Sequence, residues 1–401
     1  MKVLVLNCGG SSIKYRLYSM PEERSLAGGS LERVGLPGSL LAHRTGNGES
    51  TGETVDCGTH AAGVRRILAR LAEGAEPAVA SLAEVDATGH RVVHAGDRYT
   101  GSVRITADVV EALRECSDLA PLHNPPNLAG IEACLEALPG IPMVAVFDNA
   151  LHHTVPDYAR AYAIPRELAA RHGIRRYGFH GIAFRYATER AAALLGRPLE
   201  ALRIVTLMLG SGCTANAMKH GRSVEISTGF TPLEGLIQST RSGDLDPAVI
   251  TFLQEKEGLS PAEVNALLNR RSGWLGLSGV SADLREVRRA ADAGNEAARL
   301  AIQAFVHRAR KYVGAYAAVM GGVDALVLTG GVGERAPDIR AAICRDLEFL
   351  GLRLDPERNA ASAGDAVISA AGAPAAIVVV SMDEEIIIAR DTYRIVTGTA
   401  R

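Results

Sequence analysis

Two stretches about 200 residues apart share one layout: an apolar strand, a glycine-rich polar tip, and a second strand. The first is "LNCGGSSIK", Leu6–Lys14, and the second is "LMLGSGCTANAMKHG", Leu207–Gly221. An ordinary hairpin turn needs only two residues of special conformation. Here Asn7, Gly9, Gly10, Ser11, Ser12 and Lys14 crowd one tip. Glycines in a tight turn let backbone N–H groups converge on an anion, and Ser hydroxyls and a Lys charge add to that. The same residues also suit a solvated polar hairpin, and the motif alone leaves both readings open. The repetition points to two related halves.

The rest of the chain alternates strand-like apolar runs with longer helix-like stretches, the pattern of an α/β protein. Strands are expected at 2–7, 13–18, 91–94, 143–148, 204–209, 213–218, 325–329 and 377–381. Ser260-Pro261-Ala262-Glu263 reads as an N-cap, a Pro at the first helical position and a capping-box Glu. Helices are also expected at 296–320, 336–347 and 383–396. A length of 401 residues favours two domains. The net charge of -2 and the absence of a basic stripe argue against nucleic acid as a partner. No apolar run approaches the roughly 18 residues of a membrane span. The run after Met1-Lys2 is too short for a secretory signal. The six cysteines form no C-x-x-C pair, which suggests free thiols in a reducing cytoplasm.

A third glycine-rich segment, "TGGVGE" (Thr329–Glu334), is expected as a loop between a strand and a helix, a common nucleotide-facing arrangement. It matches neither the Walker loop nor the Rossmann fingerprint. Polar residues also interrupt apolar surroundings elsewhere. Arg91 lies inside a strand, His123 beside a Pro-rich loop, Asp148 at a strand end, His180 before a helix start, and Arg241 in a loop rich in Gly, Ser and Asp. Strand ends and loops are where α/β enzymes keep their sites. The adjacent His152 and His153 point apart and suggest no third ligand, so they make a poor metal site.

These segments, in this order, resemble the acetate kinase (acetokinase) family over nearly the whole chain. The matching stretches include "NCGGSSIKY", "GHRVVHAGD", "LHNPPNLAGI", "IRRYGFHG", "GVGE" and "DEEIIIARDT". "GFTPLEGL" followed by "TRSGD" is the most specific part. The resemblance implies two related actin-like (ribonuclease H-like) α/β domains with a nucleotide cleft between them. The first would take residues 1–150 plus 385–401, and the second 151–384 with the adenosine site. It also implies a homodimer and direct, in-line, reversible transfer from ATP to acetate with Mg²⁺. Alternatives are a kinase for propionate or butyrate, or a nucleotide-binding paralogue with reduced turnover.

By that resemblance Arg91, His123, Asp148, His180 and Arg241 are catalytic, and Asn7 and Glu384 serve the metal. Val93, Leu122, Phe179 and Pro232 form the methyl pocket. Ser12, Lys14, Gly210, Ser211 and Gly212 face the phosphates. Asp283, Leu284 and Arg285, with the Gly331–Arg335 segment (Gly331, Val332, Gly333, Glu334, Arg335), face the nucleoside. The chain departs from the family pattern at several places. Gly10 stands for Ser, Met208 and Ser211 for the His and Asn of "HLGNG", and Asn149 and Leu151 for Thr and Phe. Ile182, Ala183 and Phe184 stand for "TSH", and Arg335 for Asn. Lost donors near phosphate cost about 0.5–1.5 kcal/mol each, so a slower enzyme or a shifted substrate preference is expected.

Overall fold

The computed structural model describes residues 1–73, 76–119 and 123–399. Two units result, Met1–Leu151 with Asp383–Arg401, and His152–Met382.

The first unit is built on an eight-stranded sheet among the described residues. Its strands are β1 (Lys2–Cys8), β2 (Ser12–Ser19), β3 (Arg24–Glu32), β4 (Ser39–Thr45), β5 (Ser50–Val55), β6 (Ala87–Val92), β7 (Val103–Arg104) and β8 (Met143–Phe147), in the order β5-β4-β3-β2-β1-β6-β8-β7. Alternation along β1 sends Leu4, Leu6 and Cys8 into a core shared with Val64, Ile67 and Leu68 of the helix His60–Ala72. The helix Glu385–Thr397 covers the sheet at Gly89, where a Cβ would fall 2.3 Å from Thr392 Oγ1. Glycine there lets helix and strand approach closely.

The second unit has a six-stranded sheet. Its strands are β9 (Arg203–Leu209), β10 (Cys213–Lys219), β11 (Arg222–Ile226), β12 (Ala325–Thr329), β13 (Ala366–Val367) and β14 (Ala376–Val380), in the order β11-β10-β9-β12-β14-β13. β12 is buried along its whole length and β14 nearly so, as expected of parallel strands covered on both faces. The helix Glu296–Met320 buries Phe305, Ala309 and Val313 in the core with Leu207 and Leu209.

The repetition seen in sequence is a shared topology. In each unit an antiparallel hairpin (β1–β2, β9–β10) continues antiparallel on one side (β3, β11). On the other side it continues through two parallel strands (β6 and β8, β12 and β14). The expected two-domain actin-like α/β architecture is therefore present.

Several local expectations are corrected. The strand expected at 91–94 is Ala87–Val92, and the one expected to end on Asp148 stops at Phe147. The Pro-rich loop after His123 is the first turn of the helix Asn124–Ala137, where Pro costs no hydrogen bond. Gly330–Arg335 is helical rather than a loop. β3–β5 had no strand expectation. Gly29 in β3 is required there, because a Cβ would sit 2.0 Å from the Ala42 carbonyl oxygen. The capping box at Ser260 and the helix Glu296–Met320 are as expected.

All six cysteines are buried and free, and burial pushes the thiols of Cys8, Cys213 and Cys344 up to about 12. Near pH 8 they are protonated and shielded. An aromatic disulfide reagent should therefore titrate less than about one thiol in the native protein and all six after unfolding. Rapid native reaction of several thiols would contradict this packing.

Candidate active site

In the first unit, the ends of two neighbouring parallel strands carry the charged groups. Arg91 lies one residue before the end of β6, and Asp148 directly follows β8, its N–H donating to the Val92 carbonyl at 2.9 Å. Both Nε and Nη2 of Arg91 donate to Asp148 Oδ2, at 3.0 and 2.6 Å. Arg91 Nη1 donates to Asn7 Oδ1 at 3.2 Å and lies 3.8 Å from Glu384 Oε1. Asn7 Nδ2 donates to the same Glu384 oxygen at 3.4 Å. Burial opposes the Arg91 charge, but Asp148 and then Glu384 outweigh it and hold its pKa above the usual arginine value. Asp148 is 1% exposed, and its Oδ1 is a buried oxygen with no hydrogen-bond partner among the described residues.

That orphaned oxygen decides whether these residues suit a magnesium ion. Mg²⁺ prefers oxygen donors and takes only one or two carboxylates while keeping water. Asp148 Oδ1, the nearby Glu384 carboxylate and Asn7 form such a set. Among the described residues no group of three or more His, Cys, Asp and Glu makes a metal cage. His152 is instead a structural residue. Its Nδ1 pairs with Ser223 Oγ and its Nε2 with the Phe179 carbonyl, both at 3.0 Å, and burial lowers its pKa to about 3.

The first hairpin tip belongs to this unit. Gly9 N–H donates to the Ser12 carbonyl at 2.7 Å, and the Gly9 carbonyl pairs with His60 Nε2 at 2.7 Å. The amides of Gly10 and Ser11 donate to no group among the described residues. Ser12 opens β2, and Lys14 is exposed on it. Val93 is buried, with its N–H held by Asn127 Oδ1. His123 is half-buried just before the helix Asn124–Ala137. Leu122 lies outside the described residues.

In the second unit the tip Gly210–Gly212 joins β9 to β10, and the Ser211 carbonyl accepts from Ser239 N–H at 3.0 Å. This bond ties the tip to the segment that carries Arg241. A Cβ at Gly212 would stand 3.5 Å from His180 Cε1 and 3.6 Å from Gln238 Oε1. His180 has φ 61°, a left-handed conformation rare for a residue with a side chain, immediately before the helix Gly181–Leu195. Its Nδ1 pairs with Thr214 Oγ1 at 3.0 Å, and Met208 is the cross-strand neighbour of Thr214. Arg241 Nη1 donates to Gln238 Oε1 at 3.3 Å. Among the described residues no carboxylate lies within ion-pair distance of Arg241, and burial lowers its pKa. A partly buried guanidinium with unused donors is an anion site in waiting. Phe179 is buried, and the Pro232 carbonyl accepts from Gln238 Nε2 at 2.8 Å.

A cavity of about 620 Å³ lies in the second unit, lined by Gly210, Ser211, Asp283, Leu284, Arg285, Gly331, Val332 and Arg335. The expected Gly212, Gly333 and Glu334 do not line it. Gly333 is buried, and Glu334 Oε1 accepts from Met382 N–H at 3.2 Å. Trp274, Ala282, Arg288 and Ala336, which no sequence motif marks, also line it. Trp274 is the chain's one tryptophan, and its Nε1 donates to the Ala282 carbonyl at 2.8 Å. Asp283 caps the helix Leu284–Asp292. Hydrogen bonds from the Arg285 side chain, then its backbone, hold its carboxyl down at about 2. A concave site of this size, with a few fixed polar groups, suits a nucleoside.

Comparisons with known proteins agree with this geometry. A family model described as the acetokinase family matches residues 2–390. An acetate kinase of Heliobacterium modesticaldum is 50% identical over 398 residues, which cover 99% of this chain and 100% of that protein. One from Desulfitobacterium hafniense is 48% identical, covering 99% of each. The crystal structure of Porphyromonas gingivalis acetate kinase matches with a TM-score of 0.93 at 47% identity, covering 98% of this chain and 99% of that one. A propionate kinase from Francisella tularensis matches at 0.91 and 37%, over 98% and 99%.

The Arg91–Asp148 pair carries a stability prediction. Removing one partner of a buried pair leaves an uncompensated charge and costs about 3–5 kcal/mol. Arg91→Met should lower unfolding free energy in urea by that amount. Arg98→Ala, which breaks the exposed pair with Glu115, should cost less than about 1 kcal/mol. Equal small losses would contradict the coupling described.

Proposed function

The chain belongs to the acetokinase family, and from that premise we propose that it transfers a phosphoryl group reversibly between ATP and acetate, forming acetyl phosphate and ADP. The observation that carries this reading is Arg241. It is a guanidinium with no acidic partner among the described residues, held by Gln238 close to the Gly212 tip and His180.

Transfer of a phosphoryl group spreads negative charge over its equatorial oxygens, so catalysis consists largely of positioning and positive charge. Acetate is ionised at neutral pH, so no side chain has to remove a proton from it. A carboxylate oxygen forms the new bond to the γ-phosphorus, and the bond to the bridging oxygen of ADP breaks. Arg241 and Arg91 supply planar donors to the acetate and the phosphoryl group. The two chelating bonds to Asp148 fix the direction of Arg91. His180 donates to the developing charge, and His123 assists. Gly10, Ser11 and Ser12, with Lys14, and Gly210–Gly212 cradle phosphates through backbone amides and the lysine charge. Asp148, Glu384 and Asn7 would hold Mg²⁺, which when bound neutralises phosphate charge. The cavity beside Trp274 would take adenosine.

Val93, Leu122, Phe179 and Pro232 would face the methyl group. One methylene is worth only about 1–3 kcal/mol of discrimination, so propionate should also react. The likeness to a propionate kinase favours keeping that acid as the second reading. A homodimer is proposed from the family resemblance. Among the described residues no helix is long and apolar enough to cross a membrane, and the buried free thiols support a reducing, cytoplasmic setting.

Trapping acyl phosphate with hydroxylamine tests the reading. With Mg-ATP, acetate should give the highest kcat/KM, propionate less and butyrate least. Arg241→Ala should lower kcat/KM at least about a hundredfold. Butyrate in first place, or an active Arg241→Ala variant, would overturn the assignment.

A further inference from the structure

Arg340 is 1% exposed, one of the largest fully buried side chains in the chain. Among the described residues no carboxylate lies within ion-pair distance of it. Each of its five N–H groups nevertheless has an acceptor. Nε donates to Asn359 Oδ1 at 2.7 Å. Nη1 donates to the Gly333 and Glu334 carbonyls at 3.0 and 2.7 Å. Nη2 donates to the Asn359 carbonyl and to Ser362 Oγ, both at 2.7 Å. Asn359 is itself anchored, through Nδ2, to the Pro337 carbonyl at 2.8 Å.

Two of those acceptors belong to the helical turn Gly330–Arg335, which lines the cavity through Gly331, Val332 and Arg335. The turn holds three glycines, so its sequence opposes helix formation. The last carbonyls of a helix lack intrahelical partners and carry its negative end. Arg340 supplies donors and a positive charge to those carbonyls and ties them to the helix Pro356–Ala361.

We propose that Arg340 is a positioning residue for the nucleotide site, holding the Gly330–Arg335 turn in the shape that forms one wall of the adenosine cavity. It touches no substrate. The proposal rests on the nucleotide reading of that cavity given above.

Trp274, the only tryptophan, lines the same cavity, so its fluorescence reports Mg-ATP binding in the absence of turnover. Arg340→Met should raise the Kd for Mg-ATP at least about tenfold while the KM for acetate stays within about twofold. Arg340→Lys, which keeps the charge but loses the planar fork, should give an intermediate Kd. Ser362→Ala, which removes one of the five acceptors at a residue that does not line the cavity, should shift it least. If Arg340→Met does not fold, the Lys variant decides, with an expected rise of about three- to tenfold. A lowered melting temperature with unchanged Kd, or parallel rises in both KM values, would show a merely structural role and overturn the proposal. Graded Mg-ATP affinities in a parent protein that makes no acyl phosphate would support Arg340 and defeat the kinase reading instead. A parent protein that does not respond to Mg-ATP would overturn both.

Discussion

Placing charge at the ends of buried strands is the constraint on which the first unit depends. β6 and β8 are almost wholly buried, and their ends carry Arg91 and Asp148 into surroundings with little water. Neither charge is tolerable there alone. Two hydrogen bonds to one oxygen of Asp148 hold the arginine and leave the other carboxylate oxygen without a partner among the described residues. Asn7, at the end of β1, donates to Glu384 and accepts from Arg91. The stabilising network and the proposed cation-binding set therefore share the same residues, with Asp148 turning Oδ2 to the arginine and keeping Oδ1 for the cation.

The second unit uses the same topology for a different purpose. Its hairpin tip is tied to the Arg241 segment through Ser211 and Ser239, and β12 runs into a glycine-rich turn that lines a cavity. Here, among the described residues, positive charge is left without an acidic partner instead of being neutralised. Among the described residues the Arg241 side chain donates to Gln238, whose side chain also holds the Pro232 carbonyl. One buried glutamine thus links the proposed anion site to the proposed methyl pocket. His180 accepts a strained backbone in the same neighbourhood, as residues fixed for a task often do.

Much of this was legible in the sequence because it is local. Glycine-rich tips between apolar runs signal hairpins, and both hairpins exist. Ser260 and Glu263 spelled out a capping box. Arg91, Asp148 and Arg241 stood out as charges among apolar or glycine-rich neighbours. What was missed depends on distant partners. Gly330–Arg335 reads as a loop until the buried Arg340 caps its carbonyls. β3 reads poorly because the glycine it needs against Ala42 is a weak strand former. Trp274 and Gln238 carry no motif, and only the folded chain brings them to the site. Gly333 and Glu334 shared a motif with Gly331 and Val332, yet a helical turn points neighbours in different directions.

The most direct test of the account follows the oxygen atoms. Oxygen-18-labelled acetate is incubated with Mg-ATP and the protein, and the products are read by phosphorus NMR. Attack of the carboxylate on the γ-phosphorus predicts acetyl phosphate with labelled oxygen in the bridge to phosphorus, formed one for one with ADP. ATP hydrolysis to unlabelled phosphate, or no reaction while nucleotide binds, would contradict it.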